Sequence, residues 1–224
     1  MLVSLEDACP IHLTSGALLT SGARFLRDGV EYVTEDRVVG TVMVPNGQIV
    51  GCDPLTDADS SPPFLVRLAP GQYRLCAWVA GIHRHGTEPQ SRTVALQLVV
   101  SVLPTVHWEL ALADGQDPAD LGADGFFGYP VDAGVGTLAD LVAVRALAGW
   151  EFDRLDEVYI PTQAPPAPAA VDAVTEELTG ANVIIVSSGR GDGVDPTLVG
   201  YAADGRATGF VTDFMVIPEL TAQI

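Results

Sequence analysis

Between Tyr32 and Leu112, short runs rich in β-branched and aromatic residues alternate with turn signals, and this rhythm steers the chain towards antiparallel β-structure. The runs fall at residues 32–33, 37–44, 48–52, 64–68, 72–79, 92–103 and 107–112. Pro45-Asn46-Gly47 separates 37–44 from 48–52, and an Asn-Gly pair between apolar runs predicts a hairpin, because both residues tolerate positive φ. Ala69-Pro70-Gly71 is a second turn signal, while residues 57–63 and 82–90 read as surface loops. The strand–helix alternation of a parallel sheet is absent.

The second half changes character. Residues 113–128 are loop-like and rich in Asp and Gly. After Gly136, the positions Leu138, Leu141, Val142, Val144, Arg145 and Leu147 repeat at helical spacing, with Thr137 as the expected N-cap and Gly149 as the stop. Residues 161–168 hold four prolines and read as an extended Pro-rich loop. Residues 172–178 predict a short acidic helix closed by Gly180. Strand patterns return at 182–188, 197–201 and 207–217, the last two joined by the turn Ala203-Asp204-Gly205. Too few strands follow the Pro-rich loop to stand alone, so residues 1–224 are expected to form a single domain. The fold class expected is α+β, predominantly antiparallel β as a sandwich or open barrel, with one or two helices in the C-terminal half.

Charge narrows the partners. The chain carries a net charge of −18, and all 11 of its basic residues are Arg. Residues 1–112 hold 11 acids against 7 Arg, whereas residues 113–224 hold 18 against 4. Such a surface repels nucleic-acid backbones and anionic membranes, so no nucleic acid and no membrane is expected as a partner. It favours a basic protein or cations. The longest apolar runs, 94–103 and 183–186, are too short to cross a bilayer, and residues 1–7 lack the basic start of a signal peptide. The expected location is cytoplasmic. Cys9, Cys52 and Cys76 have no CxxC spacing and are expected as buried reduced thiols.

No catalytic constellation emerges from spacing. His12, His83, His85 and His107 all lie in the first half; His83 and His85 flank Arg84 without a third ligand at zinc spacing. Ser187-Ser188-Gly189-Arg190-Gly191 is not a nucleophile elbow. Two segments stand out instead, 128–136 (Gly-Tyr-Pro-Val-Asp-Ala-Gly-Val-Gly) and 187–193 (Ser-Ser-Gly-Arg-Gly-Asp-Gly). Each joins glycines, which allow close backbone approach, to one carboxylate at a strand–loop junction. Tyr129, Asp132, Ser188, Arg190 and Asp192 from these segments, with Asp213 beyond them, are the candidate ligand or partner site. Asp132 and Asp192 are also candidate ligands for a divalent cation such as calcium or magnesium, with Asp140, Asp195, Asp204 and Asp213 as further oxygen donors. The competing reading is that these Asp-Gly pairs form ordinary turns, as expected of Asp204-Gly205.

Several segments together resemble a bacterial family known as domain of unknown function 4241. They are Gly47-Gln48-Ile49-Val50-Gly51-Cys52-Asp53-Pro54-Leu55, residues 92–112 with Trp108-Glu109-Leu110-Ala111, and Gly128-Tyr129-Pro130-Val131-Asp132-Ala133-Gly134. Ser188-Gly189-Arg190-Gly191-Asp192-Gly193, Gly200-Tyr201, Asp204-Gly205 and Val211-Thr212-Asp213-Phe214 complete the set. The resemblance spans roughly residues 45–217 and implies no activity, cofactor or catalytic residue. Asp195 and Leu198 depart from it, standing where it implies aromatic residues.

The leading functional expectation is a non-enzymatic acidic intracellular binding protein that engages a basic protein partner, as an immunity or antitoxin-like factor does. The alternative is a small-molecule or divalent-metal-dependent enzyme with its site between the Asp132 and Asp192 loops.

Overall fold

A computed structural model describes residues 18–122, 125–163 and 165–217; Cys9, His12 and the segment 1–7 lie outside them. The described strands are β1 (Arg24–Arg27), β2 (Val30–Val44), β3 (Ile49–Cys52), β4 (Gly71–Arg84), β5 (Gln90–Val99), β6 (His107–Leu110), β7 (Gly128–Val131) and β8 (Val135–Asp140). Helices α1 (Leu141–Leu147) and α2 (Phe152–Tyr159) follow, then β9 (Val171–Glu176), β10 (Ala181–Ser187), β11 (Gly193–Tyr201) and β12 (Ala207–Asp213). The large sheet runs β1-β2-β4-β5-β12-β11-β6 and curls into a half-barrel, with β7 also paired to β11. A smaller sheet runs β3-β8-β10-β9. The fold is therefore α+β, mostly antiparallel strands, with two helices in the C-terminal half.

The smaller sheet packs on β2 and β5 of the larger, and α1 covers its other side through Ala143, Val144 and Leu147. This explains why Val183, Ile184, Ile185 and Val186 of β10 form an unbroken apolar run with no exposed face. Asn182 ties the layers together: its side chain accepts from the Met43 amide (2.9 Å) and donates to the Thr41 carbonyl (3.0 Å) and Asp172 Oδ1 (2.7 Å). Burying side chains such as Ile184, Leu138 and Phe210 completely contributes roughly 1.5–3 kcal/mol each.

The structure corrects four local expectations. Pro45-Asn46-Gly47 does form a turn, with Gly47 at φ +78°, but not a hairpin: β2 stays with β4 while β3 crosses to pair with β8. The Asp140 carboxylate directs the crossing by accepting from the amides of Asn46 (3.2 Å) and Gly47 (3.1 Å). Residues 138–140, expected in a helix, finish β8, and the N-cap of α1 is Asp140, whose Oδ1 accepts from Val142 N at 2.9 Å. Thr137 is instead buried in the sheet, its hydroxyl donating to Ile184 O. Residues 172–176, expected as helix, are the edge strand β9, because β10 supplies a ladder and Thr175 Oγ1 reaches Ala143 O at 2.8 Å. Residues 64–68 form only isolated bridges, Gln48 to Arg67 and Phe64 to Ala113.

Other features meet expectation or were not anticipated. Helix α2 forms over Phe152–Tyr159, where the sequence pattern predicts no helix. The 82–90 loop shrinks to the tip of the β4–β5 hairpin, where His83 and His85 are exposed. Ala203-Asp204-Gly205 joins β11 to β12 as foreseen, and Cys52 and Cys76 are free and buried. Among the described residues no helix is long and apolar enough to cross a membrane.

Candidate functional site

The two glycine-rich segments meet. β7 pairs with the start of β11 in the register Val131 with Gly193, Pro130 with Val194, Tyr129 with Asp195 and Gly128 with Pro196. Beyond this ladder the Ser188 amide donates to the Gly134 carbonyl (3.0 Å). Asp132 and Asp192 thus each lie one residue past the Val131–Gly193 pair, and both are exposed.

Packing accounts for much of the glycine. Gly189 sits at φ +50°, and a Cβ there would lie 2.5 Å from Val216 Cγ2 and 2.9 Å from Phe214 Cβ. At Gly136 a Cβ would meet the Tyr129 hydroxyl at 2.8 Å and the Phe214 ring at 3.0 Å. Two further candidates serve the same loop. Ser188 is buried with its hydroxyl donating to Gly191 O (3.3 Å), and Arg190 donates to Val216 O (3.2 Å). From the neighbouring strand, Arg92 donates to Gly189 O (3.0 Å), while the Thr93 and Ser187 hydroxyls share a hydrogen bond of 2.8 Å.

A carboxylate not singled out from sequence fixes the other segment. Asp53, fully buried, accepts from the amides of Ala133 (2.7 Å) and Asp132 (3.2 Å) through Oδ2, and of Leu55 (3.1 Å) through Oδ1. Burial raises its pKa, and these amides oppose the rise by stabilising the ion. The Cys52 thiol beside it is pushed up to about 12 by burial, so it is no nucleophile at neutral pH.

Behind the ladder lies a second kind of buried acid. Asp213, of the candidate set, is 2% exposed; its Oδ1 accepts from Met215 N (2.8 Å), but Oδ2 has no hydrogen-bond partner among the described residues. Burial pushes its pKa to about 7. Asp195 is also buried and also pushed to about 7, first by burial and then by the negative field of Asp213. The Tyr129 hydroxyl, facing the same region, likewise has no hydrogen-bond partner among the described residues, while the Thr212 hydroxyl shares a hydrogen bond of 2.9 Å with Thr197. Burial, reinforced by Asp195, drives the phenol well above its usual range, with Thr212 acting the other way. Near neutral pH this region holds partly protonated carboxyls beside a neutral phenol.

Tyr129 and Thr197 also line a pocket of about 170 Å³, together with Gly51, Asp57, Ser60, Ser61, Phe64, Gln116 and Phe127. Gly51 makes room for it, because a Cβ there would sit 3.1 Å from the Phe64 ring, the Thr197 hydroxyl and the Tyr129 ring alike. Among the described residues no group of three or more His, Cys, Asp or Glu side chains is placed to hold a metal, so Asp132 and Asp192 gather no third ligand of these types there.

A family model described as Protein of unknown function (DUF4241) matches residues 42–212, which takes in both glycine-rich segments, Asp53, Asp195 and the pocket. No curated protein and no solved structure matches the chain.

Proposed function

The chain belongs to the DUF4241 family of proteins of unknown function, and from that premise we propose that it is a non-enzymatic binding protein whose acidic C-terminal half engages a basic protein partner, as an immunity or antitoxin-like factor does. One observation carries this reading: the arginines of that half are already committed, whereas many of its exposed carboxylates form no ion pair among the described residues. Arg145 donates to the carbonyls of Ala58, Asp59 and Ser61, Arg190 to that of Val216, and Arg154 lies 3.6 Å over the Trp150 ring. Among the described residues, Arg206 alone of these arginines forms an ion pair, with Asp204. Exposed Asp114, Asp132, Asp153, Asp156, Glu157, Glu177 and Asp192 have no ion pair among the described residues. An uncompensated field of this kind steers a cationic partner and weakens with salt. His107 pairs with Glu109 (3.4 Å) and stacks on Tyr201 instead of serving a nucleophile. The free, buried Cys52 and Cys76 suit a bacterial cytoplasm, where we place the protein.

The test is capture of partners by the tagged protein from its own lysate, then titration of the purified partner at low and high salt. A basic partner is expected, its affinity falling steeply with salt and about tenfold in the Asp132→Asn/Asp192→Asn double variant. Failure to find a partner at low salt, or a salt-independent affinity, overturns the reading.

A single observation favours the enzyme alternative: the Ser188–Gly134 hydrogen bond brings the Asp132 and Asp192 loops together. It requires a thermal shift with calcium, magnesium, manganese, zinc or a small-molecule substrate that is lost in Asp132→Asn or Asp192→Asn. If no shift survives that comparison, the alternative is removed.

A further inference from the structure

We infer that the pocket between the 57–61 loop and β7 receives a single arginine side chain of the partner, its guanidinium against Asp57 and the aromatic wall; this rests on the reading of a basic protein partner.

Size comes first. At about 170 Å³ the pocket is smaller than the roughly 300–1,000 Å³ that hold drug-sized ligands and cofactors, so it suits one side-chain head group. Charge comes next. Asp57 is the one charged side chain among its lining residues, and an anion placed there would meet that carboxylate with no cation in the wall. The neighbouring guanidinium, Arg145, is turned to the loop's own carbonyls at Ala58, Asp59 and Ser61. Among the described residues the Asp57 carboxylate accepts from the hydroxyls of Thr56 (3.1 Å) and Ser60 (3.3 Å) alone, which leaves carboxylate lone pairs for a charged donor.

Shape separates guanidinium from ammonium. Phe64, Phe127 and Tyr129 give the pocket aromatic walls, on which a planar guanidinium stacks while its edge still donates to carboxylate and hydroxyl oxygens. The walls are fixed before anything binds. Gly51 lets Phe64, Tyr129 and Thr197 converge, Phe64 stacks on Phe210 at 5.7 Å, and Thr212 holds the Thr197 hydroxyl. Preorganised groups lose little freedom on binding.

The probe is N-acetyl-arginine methylamide, titrated into the isotopically labelled full chain and followed by NMR, with the lysine and norleucine analogues as controls. Saturable shifts are expected at the amides of Gly51, Gly128 and Thr197 with the arginine probe. They should be at least about fivefold weaker with lysine, absent with norleucine, and weakened at least about fivefold in Asp57→Asn. Gly51→Ala, which narrows the pocket, should weaken them too while the fold stays intact by its amide spectrum. Equal shifts for all three probes, or shifts unchanged in Asp57→Asn, overturn the inference. So does a captured basic partner whose affinity ignores Asp57→Asn, and that result leaves the acidic-surface reading standing. Arginine binding that needs Asp57, without any basic partner in the lysate, supports the pocket's guanidinium chemistry and sinks the protein-partner reading instead.

Discussion

Two regions of this molecule bury carboxylates, and they treat them in opposite ways. At the margin of the smaller sheet, Asp53 and Asp140 each accept one backbone amide from two residues ahead and two from a distant turn: Leu55, then Asp132 and Ala133, for one, and Val142, then Asn46 and Gly47, for the other. Behind the β7–β11 ladder, Asp213 accepts one backbone amide, Met215 N, and its negative field adds to the burial that raises Asp195. The first pair acts as a set of joints between segments. The second stays buried by holding its protons longer. A buried charge is tolerated where donors replace water and is otherwise neutralised.

The comparison breaks first at Asp53. Replacing it with Ala leaves three amides without their acceptor and is expected to destabilise the fold by about 3–5 kcal/mol in urea unfolding, with Asp53→Asn recovering part of the loss. A loss below about 1 kcal/mol would show that these amides find water and that the joint is dispensable. Next is Gly189→Ala, which forces a methyl into Val216 and Phe214 at a left-handed φ; about 1–3 kcal/mol of destabilisation is expected, read as a lower thermal midpoint.

The pH profile sharpens the contrast further. Asp195 and Asp213 have folded-state values near 7, above their ordinary 3.8, so between these values the native state binds more protons than the unfolded chain. Their contribution is full below about pH 4 and is lost as pH rises through about 7. Between mildly acidic and mildly basic buffer, stability should fall on the order of 1–2 kcal/mol, and Asp213→Asn should flatten that slope and raise the midpoint at the basic end. An unchanged slope in Asp213→Asn would place the pH dependence elsewhere. The smallest effect belongs to Tyr129→Phe. Its hydroxyl has no hydrogen-bond partner among the described residues, so the change is expected within about 0.5 kcal/mol, neutral or stabilising. A loss above about 1 kcal/mol would mean that the hydroxyl is satisfied in solution by an ordered water.

Much of the fold could be read from local pattern. The alternating runs of the first half became β2, β3, β4, β5 and β6, and the two glycine-rich segments meet at the β7–β11 ladder. The errors share one cause. Residues 171–176 alternate Val, Asp, Ala, Val, Thr and Glu, acidic enough to read as helix, and only pairing with β10 selects the strand. Leu138 to Asp140 carry apolar spacing that suits helix or buried strand equally, and pairing with β3 decides for strand. Asn46-Gly47 fixed a turn but not its destination.

By itself, then, the sequence determined what depends on near neighbours and on composition: where the chain bends, which stretches favour strand, the β-rich α+β class and the negative charge of the second half. Only the tertiary structure decided what depends on partners far along the chain. It assigned β2 and β3 to different sheets, joined Asp53 to Asp132 and Ala133, set Asp195 within the field of Asp213, and built a pocket from segments as distant as Gly51, Gln116 and Thr197. The reason is physical. Turn and strand preferences arise from each residue's own backbone sterics, whereas the ionisation of a carboxylate and the shape of a pocket are set by whatever replaces water around them.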